Sequence, residues 1–95
     1  MIVGFADAAT EDLFNEVNST RARVLKGIER PARRKLHAMA VAFTLDDLRA
    51  PPGNRLEALK RNLAGYHSIR INDQWRIVFR WKDGAAHEVR IVDYH

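Results

Sequence analysis

The sequence predicts an α+β fold in which an N-terminal strand and helices pack on one face of a curved, mostly antiparallel sheet. Apolar residues at helical spacing occur in the first half of the chain, whereas strict alternation dominates the second half. Two short turn signals separate the alternating stretches, as in consecutive hairpins. The chain has 95 residues, which is enough for one domain over residues 1–95 and too few for two.

The first third of the chain indicates a strand and a helix. Residues 2–5 predict a short strand, and Asp7 is a suitable N-cap for a helix that continues to about Glu16. Residues 18–20 predict a turn, and residues 21–30 predict a loop or a weak helix. The apolar side of the first helix would contain Leu13, Phe14 and Val17.

A second helix is predicted from Pro31, a residue favoured at the first helical position. Its buried stripe would follow the spacing i, i+3, i+4 and i+7 at Leu36, Met39, Ala40 and Phe43. Thr44 and Asp47 resemble a capping box of a further short turn of helix. Residues 51–54, Pro-Pro-Gly-Asn, predict an irregular connection within the domain.

The second half predicts an antiparallel sheet. Its strands would cover residues 56–59, 66–71, 74–81 and 87–92, with turns at Asn72–Asp73 and Asp83–Gly84. On the third strand one face is apolar, formed by Trp75, Ile77, Phe79 and Trp81. If this face meets the helices, the opposite face presents Arg76 and Arg80, with Arg70 on the neighbouring strand. Such a face is either an ordinary solvated surface or a cradle for phosphates.

Charge is unevenly distributed along the chain. Lys and Arg number 16 and Asp and Glu number 12, which gives a net charge of +4. Residues 1–48 contain seven of each sign, so residues 49–95, with nine basic and five acidic side chains, carry the whole excess. This asymmetry indicates an anionic partner, nucleic acid before membrane, unless the surface is merely basic.

Several classes of function are disfavoured by composition. Cysteine is absent, so disulfides and thiolate chemistry are excluded, and a reducing compartment is expected. No apolar run approaches the ~20 residues of a membrane span, and the acidic N-terminus is unlike a signal peptide, so we expect a cytoplasmic location. The four histidines lack the paired spacing of metal ligands, so no metal is expected. His67 is expected to be a core residue, and His37 and His87 surface residues.

One set of side chains suits acid–base cleavage of a phosphodiester. Attack by the 2′-OH of RNA needs a base, cations for the charge that builds on phosphorus, and an acid for the leaving oxygen. The required types occur at Glu57, Lys60, Arg76, Tyr94 and His95. Composition alone leaves open that these are scattered surface groups.

Three motifs in the second half are more specific. GNRLEALK at residues 53–60, GYHSIRINDQWRIVFR at 65–80 and VDYH at 92–95 together resemble the HigB toxins of the RelE superfamily. The resemblance is close over residues 30–95 and loose before them. It implies a RelE-like microbial-RNase fold, with RNA bound on the sheet face opposite the helices.

The resemblance also implies an activity and partners. The protein would be the toxin of a type II toxin–antitoxin system, a ribosome-dependent endoribonuclease that cuts mRNA in the A site without a metal or cofactor. The product would be a 2′,3′-cyclic phosphate. A HigA-like helix-turn-helix antitoxin would hold the toxin inactive, and operator DNA would be bound only through that complex.

Site residues follow from the resemblance position by position. Lys60 matches a phosphate-binding lysine, and Arg76 matches the arginine that neutralises the scissile phosphate. Asp93, Tyr94 and His95 match a C-terminal trio of which Tyr stacks or donates and His serves as acid or base. Glu57 stands where some HigB proteins have His and resembles the YoeB branch, in which a glutamate is proposed as base. We therefore expect Glu57 to act as the base and His95 as the acid.

Further basic residues are expected to bind RNA. Arg70 and Arg80 would contact mRNA or ribosomal RNA. The basic run 21–35, including Arg33 and Arg34, would grip ribosomal RNA unless it is a solvated helix face. Residues 61–63, Arg-Asn-Leu, depart from the Gly-Asp-Arg of many HigB proteins, which would alter ribosome contacts.

Two other functions remain open at this point. The protein could be a non-catalytic nucleic-acid-binding partner that acts with its antitoxin as a transcriptional co-repressor, or a ribonuclease that needs no ribosome. The intact Lys60, Arg76, Tyr94 and His95 set favours catalysis over binding alone.

Overall fold

A computed structural model describes residues 1–93, and Tyr94 and His95 lie outside the described residues. Two α-helices and a four-stranded antiparallel sheet of order β1-β2-β3-β4 form the α+β fold that the sequence predicts. The elements are α1 (Ala8–Phe14), α2 (Glu29–Val41), β1 (Glu57–Ala58), β2 (Tyr66–Arg70), β3 (Trp75–Lys82) and β4 (Ala85–Asp93).

The N-terminal segment does not form the continuous strand predicted for residues 2–5. Ile2 and Phe5 make isolated parallel bridges to Ala86 and Val89 of β4. Between those two partners β4 is irregular, because its register against β3 shifts and Glu88 has a left-handed φ of 53°. A bulge of this kind interrupts a regular ladder, so the segment pairs with β4 through two isolated bridges instead of a continuous strand.

Helix α1 begins as predicted and ends early. The Asp7 carboxylate accepts the Thr10 N–H at 2.8 Å, which is the expected N-cap. The buried Thr10 hydroxyl accepts the Ile91 N–H at 3.0 Å and so ties α1 to β4. The helix ends at Phe14, before Glu16 with its left-handed φ of 58°. Val17 therefore leaves the predicted apolar side and is 49% exposed.

Helix α2 begins earlier than predicted. Pro31 is its third residue rather than its first, because the helix starts at Glu29. The segment Arg21–Leu25 before it is a 3-10 helix. The stripe that faces the core consists of Ala32, Leu36 and Met39. The predicted stripe residue Phe43 is 87% exposed, because the helix ends at Val41 and the chain changes direction.

The connection after α2 consists of two short 3-10 helices, Leu45–Arg49 and Pro52–Asn54. Thr44 and Asp47 form the predicted capping box. The predicted strand 56–59 shrinks to the two residues of β1. Glu57 pairs there with Ser68 of β2.

The hairpins and the apolar sheet face agree with the sequence. Asn72 Oδ1 accepts the Trp75 N–H at 2.8 Å in the first turn, and Asp83 and Gly84 both have positive φ in the second. The core-facing side chains of the sheet are Ile69, Ile77, Phe79, Ala86, Val89 and Ile91, with Trp75 and Trp81 packed at its margin. No helix within residues 1–93 is both long and apolar enough to cross a membrane.

His67 is a partly buried residue on the core-facing side of β2, as the alternation predicts. Its hydrogen bonding differs from that expected of a core histidine, because the buried Nδ1 has no partner among residues 1–93. Its ring stacks on Phe79 with 6.1 Å between the ring centroids. Burial lowers the pKa of His67 below its ordinary value, which favours the neutral ring in the fold.

Candidate active site

The sheet register brings Glu57 and Arg76 together on the face away from the helices. Glu57 on β1 is opposite Ser68, and Arg76 on β3 is opposite Arg70, so both side chains rise from the same face of β2. An Arg76 Nη1 to Glu57 Oε1 distance of 3.2 Å makes them an ion pair. Because β2 lies between their strands, the two side chains bridge a separation of roughly 10 Å between the backbones of β1 and β3, which is two strand spacings.

Arg76 is much less accessible than the sequence suggests. Its side chain is only 12% exposed, against 49% for Glu57. Arg76 Nη2 also donates to the main-chain carbonyl oxygen of Arg55 at 2.7 Å. The guanidinium is therefore held by a main-chain hydrogen bond and an ion pair, while the Glu57 carboxylate is half-exposed.

The polar face of the sheet is not the open arginine-lined surface that alternation predicts. Ser68 and Val78, which lie opposite each other on that face, are both buried. The Arg76 side chain crosses β2 on this face, because it reaches Glu57 on the far side of that strand. The buried Ser68 hydroxyl has no hydrogen-bond partner among residues 1–93.

The remaining predicted catalytic residues differ in their placement. Lys60 is exposed and lies three residues beyond Glu57, at the start of the 3-10 helix Arg61–Leu63. Asp93 ends β4 opposite Trp75, and its Oδ2 accepts from Gln74 Nε2 at 3.0 Å. Tyr94 and His95 lie outside the described residues, so the structure brings together Glu57 and Arg76 of this set.

The two other sheet arginines occupy different surroundings. Arg70 is directly opposite Arg76 and forms an ion pair with Asp73 in the following turn. Arg80 lies 5.1 Å from the centre of the Tyr66 ring and 3.8 Å from Glu88. Tyr66 donates to the same Glu88 carboxylate at 2.9 Å, so Arg80 belongs to a separate cluster on this face.

Basic side chains of α2 form a second basic surface. Arg30, Arg33, Arg34 and His37 line a shallow groove of about 290 Å³, and we call this set the α2 basic face. Arg33 Nε donates to the Leu13 carbonyl at 2.9 Å and so also joins α2 to α1. Arg30 and Arg34 are exposed, and neither has a carboxylate within ion-pair distance among the described residues.

Sequence reasoning missed two contributors to the polar face of the sheet. Arg90 lies in the same cross-strand row as Glu57, Ser68 and Val78, and its position between the buried Val89 and Ile91 was a usable signal. The Arg55 carbonyl was missed because the residue type does not indicate which main-chain carbonyl accepts a hydrogen bond from a side chain.

The arrangement suits electrostatic stabilisation of a charged transition state. A guanidinium fixed by hydrogen bonds needs little reorganisation when charge develops on a phosphate beside it. The adjacent half-exposed carboxylate is a group that can accept a proton from a hydroxyl. No cluster of three or more potential metal ligands occurs in residues 1–93.

Sequence comparisons place the chain among known toxins. Residues 4–95 match a family described as the RelE-like toxin of the type II toxin–antitoxin system HigB. The chain is 41% identical over 86 residues to Toxin HigB-1 of Vibrio cholerae, which covers 90% of each sequence. An uncharacterized protein of Haemophilus influenzae is 26% identical over 76 residues, covering 80% of this chain and 75% of that protein.

Solved structures share the fold. A YoeB–YefM complex from Staphylococcus aureus contains a chain with a TM-score of 0.61 and 18% identity, covering all of this chain and 98% of that one. A YoeB/ParE toxin from Agrobacterium tumefaciens gives a TM-score of 0.53 at 19% identity, with both chains fully covered. At these identities the likeness concerns the fold.

Proposed function

The chain belongs to the HigB family of RelE-like toxins from type II toxin–antitoxin systems, and from that membership we propose that it is a ribosome-dependent endoribonuclease. It would cut mRNA in the ribosomal A site and so inhibit translation. The ion pair between Glu57 and Arg76, at 3.2 Å on the sheet face opposite the helices, is the observation that carries this proposal.

Glu57 and Arg76 have complementary roles in the proposed reaction. The Glu57 carboxylate takes the proton of the 2′-OH, and the freed oxygen attacks the adjacent phosphorus. Arg76 donates hydrogen bonds to the non-bridging phosphate oxygens as negative charge builds on them. The bond to the 5′-oxygen then breaks, which leaves a 2′,3′-cyclic phosphate and a 5′-hydroxyl.

The other predicted site residues complete the proposal. His95 protonates the leaving 5′-oxygen, Tyr94 stacks on a base or donates a hydrogen bond, and Lys60 binds a neighbouring phosphate. Asp93 positions the end of β4, in keeping with its hydrogen bond from Gln74. All of these groups transfer or stabilise charge without a metal or cofactor.

Contacts with the ribosome are proposed for the basic residues away from the pair. Arg70 and Arg80 flank the reacting centre and would contact mRNA or ribosomal RNA. The α2 basic face, with Arg33 and Arg34, would bind ribosomal RNA phosphates. Because the proposed activity depends on the ribosome, we also propose a cytoplasmic location.

An antitoxin is the proposed protein partner. Membership of a toxin–antitoxin family supports one, as does the fold likeness to a toxin in the YoeB–YefM complex. We propose a HigA-like antitoxin with a helix-turn-helix domain, so that operator DNA is bound through the toxin–antitoxin complex and not by the toxin alone.

Primer extension on a defined mRNA tests this function. Purified toxin is incubated with the mRNA, either free or bound to ribosomes with an empty A site, and Arg76→Ala is the matched control. We expect cuts at the A-site codon only when ribosomes are present and only with the parent protein. Equal cutting of free mRNA would instead show a ribosome-independent ribonuclease. No cutting in either sample, together with operator binding by the antitoxin complex, would favour the co-repressor.

A further inference from the structure

The turn before β1 is unusually well anchored for an exposed connection. Asn54 is 1% exposed, and its side-chain amide donates to the carbonyl oxygens of Leu48 and Ala50, both at 3.1 Å. The oxygen of that side chain, Oδ1, accepts a hydrogen bond from Lys35 Nζ on α2. The buried amide is thus fully engaged, and it connects the turn to the long helix.

The residue after Asn54 contributes its main chain to the candidate active site. Arg55 has a left-handed backbone, with φ 46° and ψ 54°. That conformation directs the carbonyl toward Arg76, whose Nη2 donates to it at 2.7 Å. Glu57 follows two residues later, so the same turn sets the position of two acceptors of the Arg76 guanidinium, the Arg55 carbonyl and the Glu57 carboxylate.

We propose that the Asn54 side chain and the Arg55 carbonyl form a clasp that fixes the Arg76 guanidinium beside Glu57, and that Lys35 anchors the clasp to α2. These are positioning residues. Their proposed effect on cleavage rests on the function proposed above, whereas the restraint on Arg76 is a property of the fold.

The surroundings of Lys35 disfavour its charged form, so the ammonium depends on a strong acceptor at this position. Burial lowers the pKa of Lys35, and the nearby Arg70 and Arg34 lower it further. A cation placed among like charges is stabilised there by a strong acceptor, and the Asn54 carbonyl oxygen supplies one. The contact with Asn54 therefore joins α2 to the turn before β1.

A matched pair of substitutions at Arg55 isolates the main-chain contact. Arg55→Asn and Arg55→Val both remove the exposed cation, but asparagine tolerates the left-handed conformation and the β-branched valine disfavours it. We therefore expect the carbonyl to stay near Arg76 in the first variant and to be displaced in the second. Because residue 55 is exposed, both variants are expected to fold, which circular dichroism checks.

The first measurement needs no activity. Nuclear magnetic resonance of the Arg76 guanidinium reports whether rotation about its terminal C–N bonds is restricted. We expect restricted rotation in the parent and in Arg55→Asn, and averaged signals in Arg55→Val. Lys35→Met should loosen the guanidinium, whereas Arg34→Met, which removes the neighbouring cation, should not. Restricted rotation in folded Arg55→Val would overturn the proposal.

The second measurement is single-turnover mRNA cleavage on ribosomes over a range of toxin concentrations. Misplacing a reacting group by about 1 Å costs up to ~10²-fold in rate, so we expect a maximal rate ~10–100-fold lower in Arg55→Val than in Arg55→Asn. The half-saturating concentrations should be equal. Equal maximal rates would overturn the catalytic part of the proposal. The two proposals can fail separately. If the guanidinium is loosened in Arg55→Val but the parent protein never cleaves mRNA, the proposed clasp is supported and the proposed ribonuclease activity is rejected.

Discussion

Arg76 on the sheet and the arginines of the α2 basic face carry the same charge, but they differ in exposure and in bound partners. Arg76 is 12% exposed and is held by Glu57 and by the Arg55 carbonyl. Arg30 and Arg34 are exposed and have no carboxylate within ion-pair distance among residues 1–93. A fixed cation can act at a transition state without reorganisation, whereas a mobile surface cation contributes mainly long-range attraction to phosphates.

The largest effect is expected at the fixed cation. Arg76→Ala should lower the single-turnover cleavage rate on ribosomes ~10³-fold, the upper end for loss of one preorganised donor, because Glu57 also loses its partner. Binding to antitoxin should remain, as measured by co-purification. A soluble Arg76→Ala protein with the parental rate would show that the reacting centre lies elsewhere.

The second effect concerns the carboxylate. Glu57→Gln keeps the shape of the side chain and removes its capacity to accept a proton, so the maximal rate should fall ~10²-fold, the lower end for loss of a general base. Glu16→Gln, on the exposed residue after α1, is a matched control for loss of one negative charge. Cleavage by Glu57→Gln at the parental rate would make Glu57 a structural partner of Arg76 and move the search for the base to Tyr94, a deprotonated Lys60 or the ribosomal RNA.

Much of the fold around the site could be predicted from the sequence. The apolar face of β3, both hairpin turns, the Asp7 N-cap and the capping box at Thr44 follow from local spacing and turn chemistry, and all were predicted correctly. The family and the fold follow from the motifs of the second half.

Other features depend on contacts that local patterns do not encode. Phe43 fits the helical stripe, yet α2 ends two residues before it. Arg76 was correctly placed on the polar face, but its burial depends on a side chain that crosses β2 to reach Glu57. The Arg55 carbonyl acts through a backbone angle, which alternation and residue type do not reveal.

A smaller effect is expected at the α2 basic face. Arg30→Gln with Arg34→Gln should weaken ribosome binding and leave the maximal cleavage rate near that of the parent. Each lost phosphate contact should reduce the slope of log affinity against log salt by about 0.7–0.9. Titration at several salt concentrations measures this slope. An unchanged slope would assign these arginines to a solvated helix face.

The smallest expected effect is on the pH dependence of the free energy of unfolding. It concerns Asp12, which belongs to neither basic region. A hydrogen bond from Ser19 lowers the pKa of Asp12 below its ordinary value of 3.8, and Arg21, 2.9 Å away, lowers it further against the opposing effect of burial. Because the folded pKa is the lower one, the Asp12 contribution is fully present at neutral pH and is lost as pH falls below about 4 and through the folded value.

Urea unfolding of the parent and of Asp12→Asn at neutral pH and near pH 3 measures that contribution. The parent should lose more stability on acidification than Asp12→Asn, since the asparagine variant lacks the titrating group. Equal losses would show that other carboxylates account for the acid sensitivity.

The measurement that most directly tests the central claim is a double-mutant cycle on Glu57 and Arg76, with single-turnover cleavage of ribosome-bound mRNA as the readout. Residues that act as a unit are strongly non-additive, so the double variant Glu57→Gln with Arg76→Ala should cleave at about the rate of Arg76→Ala alone. If the double variant instead loses the product of the two single losses, the two side chains act independently, and the ion pair at 3.2 Å is not the reacting centre.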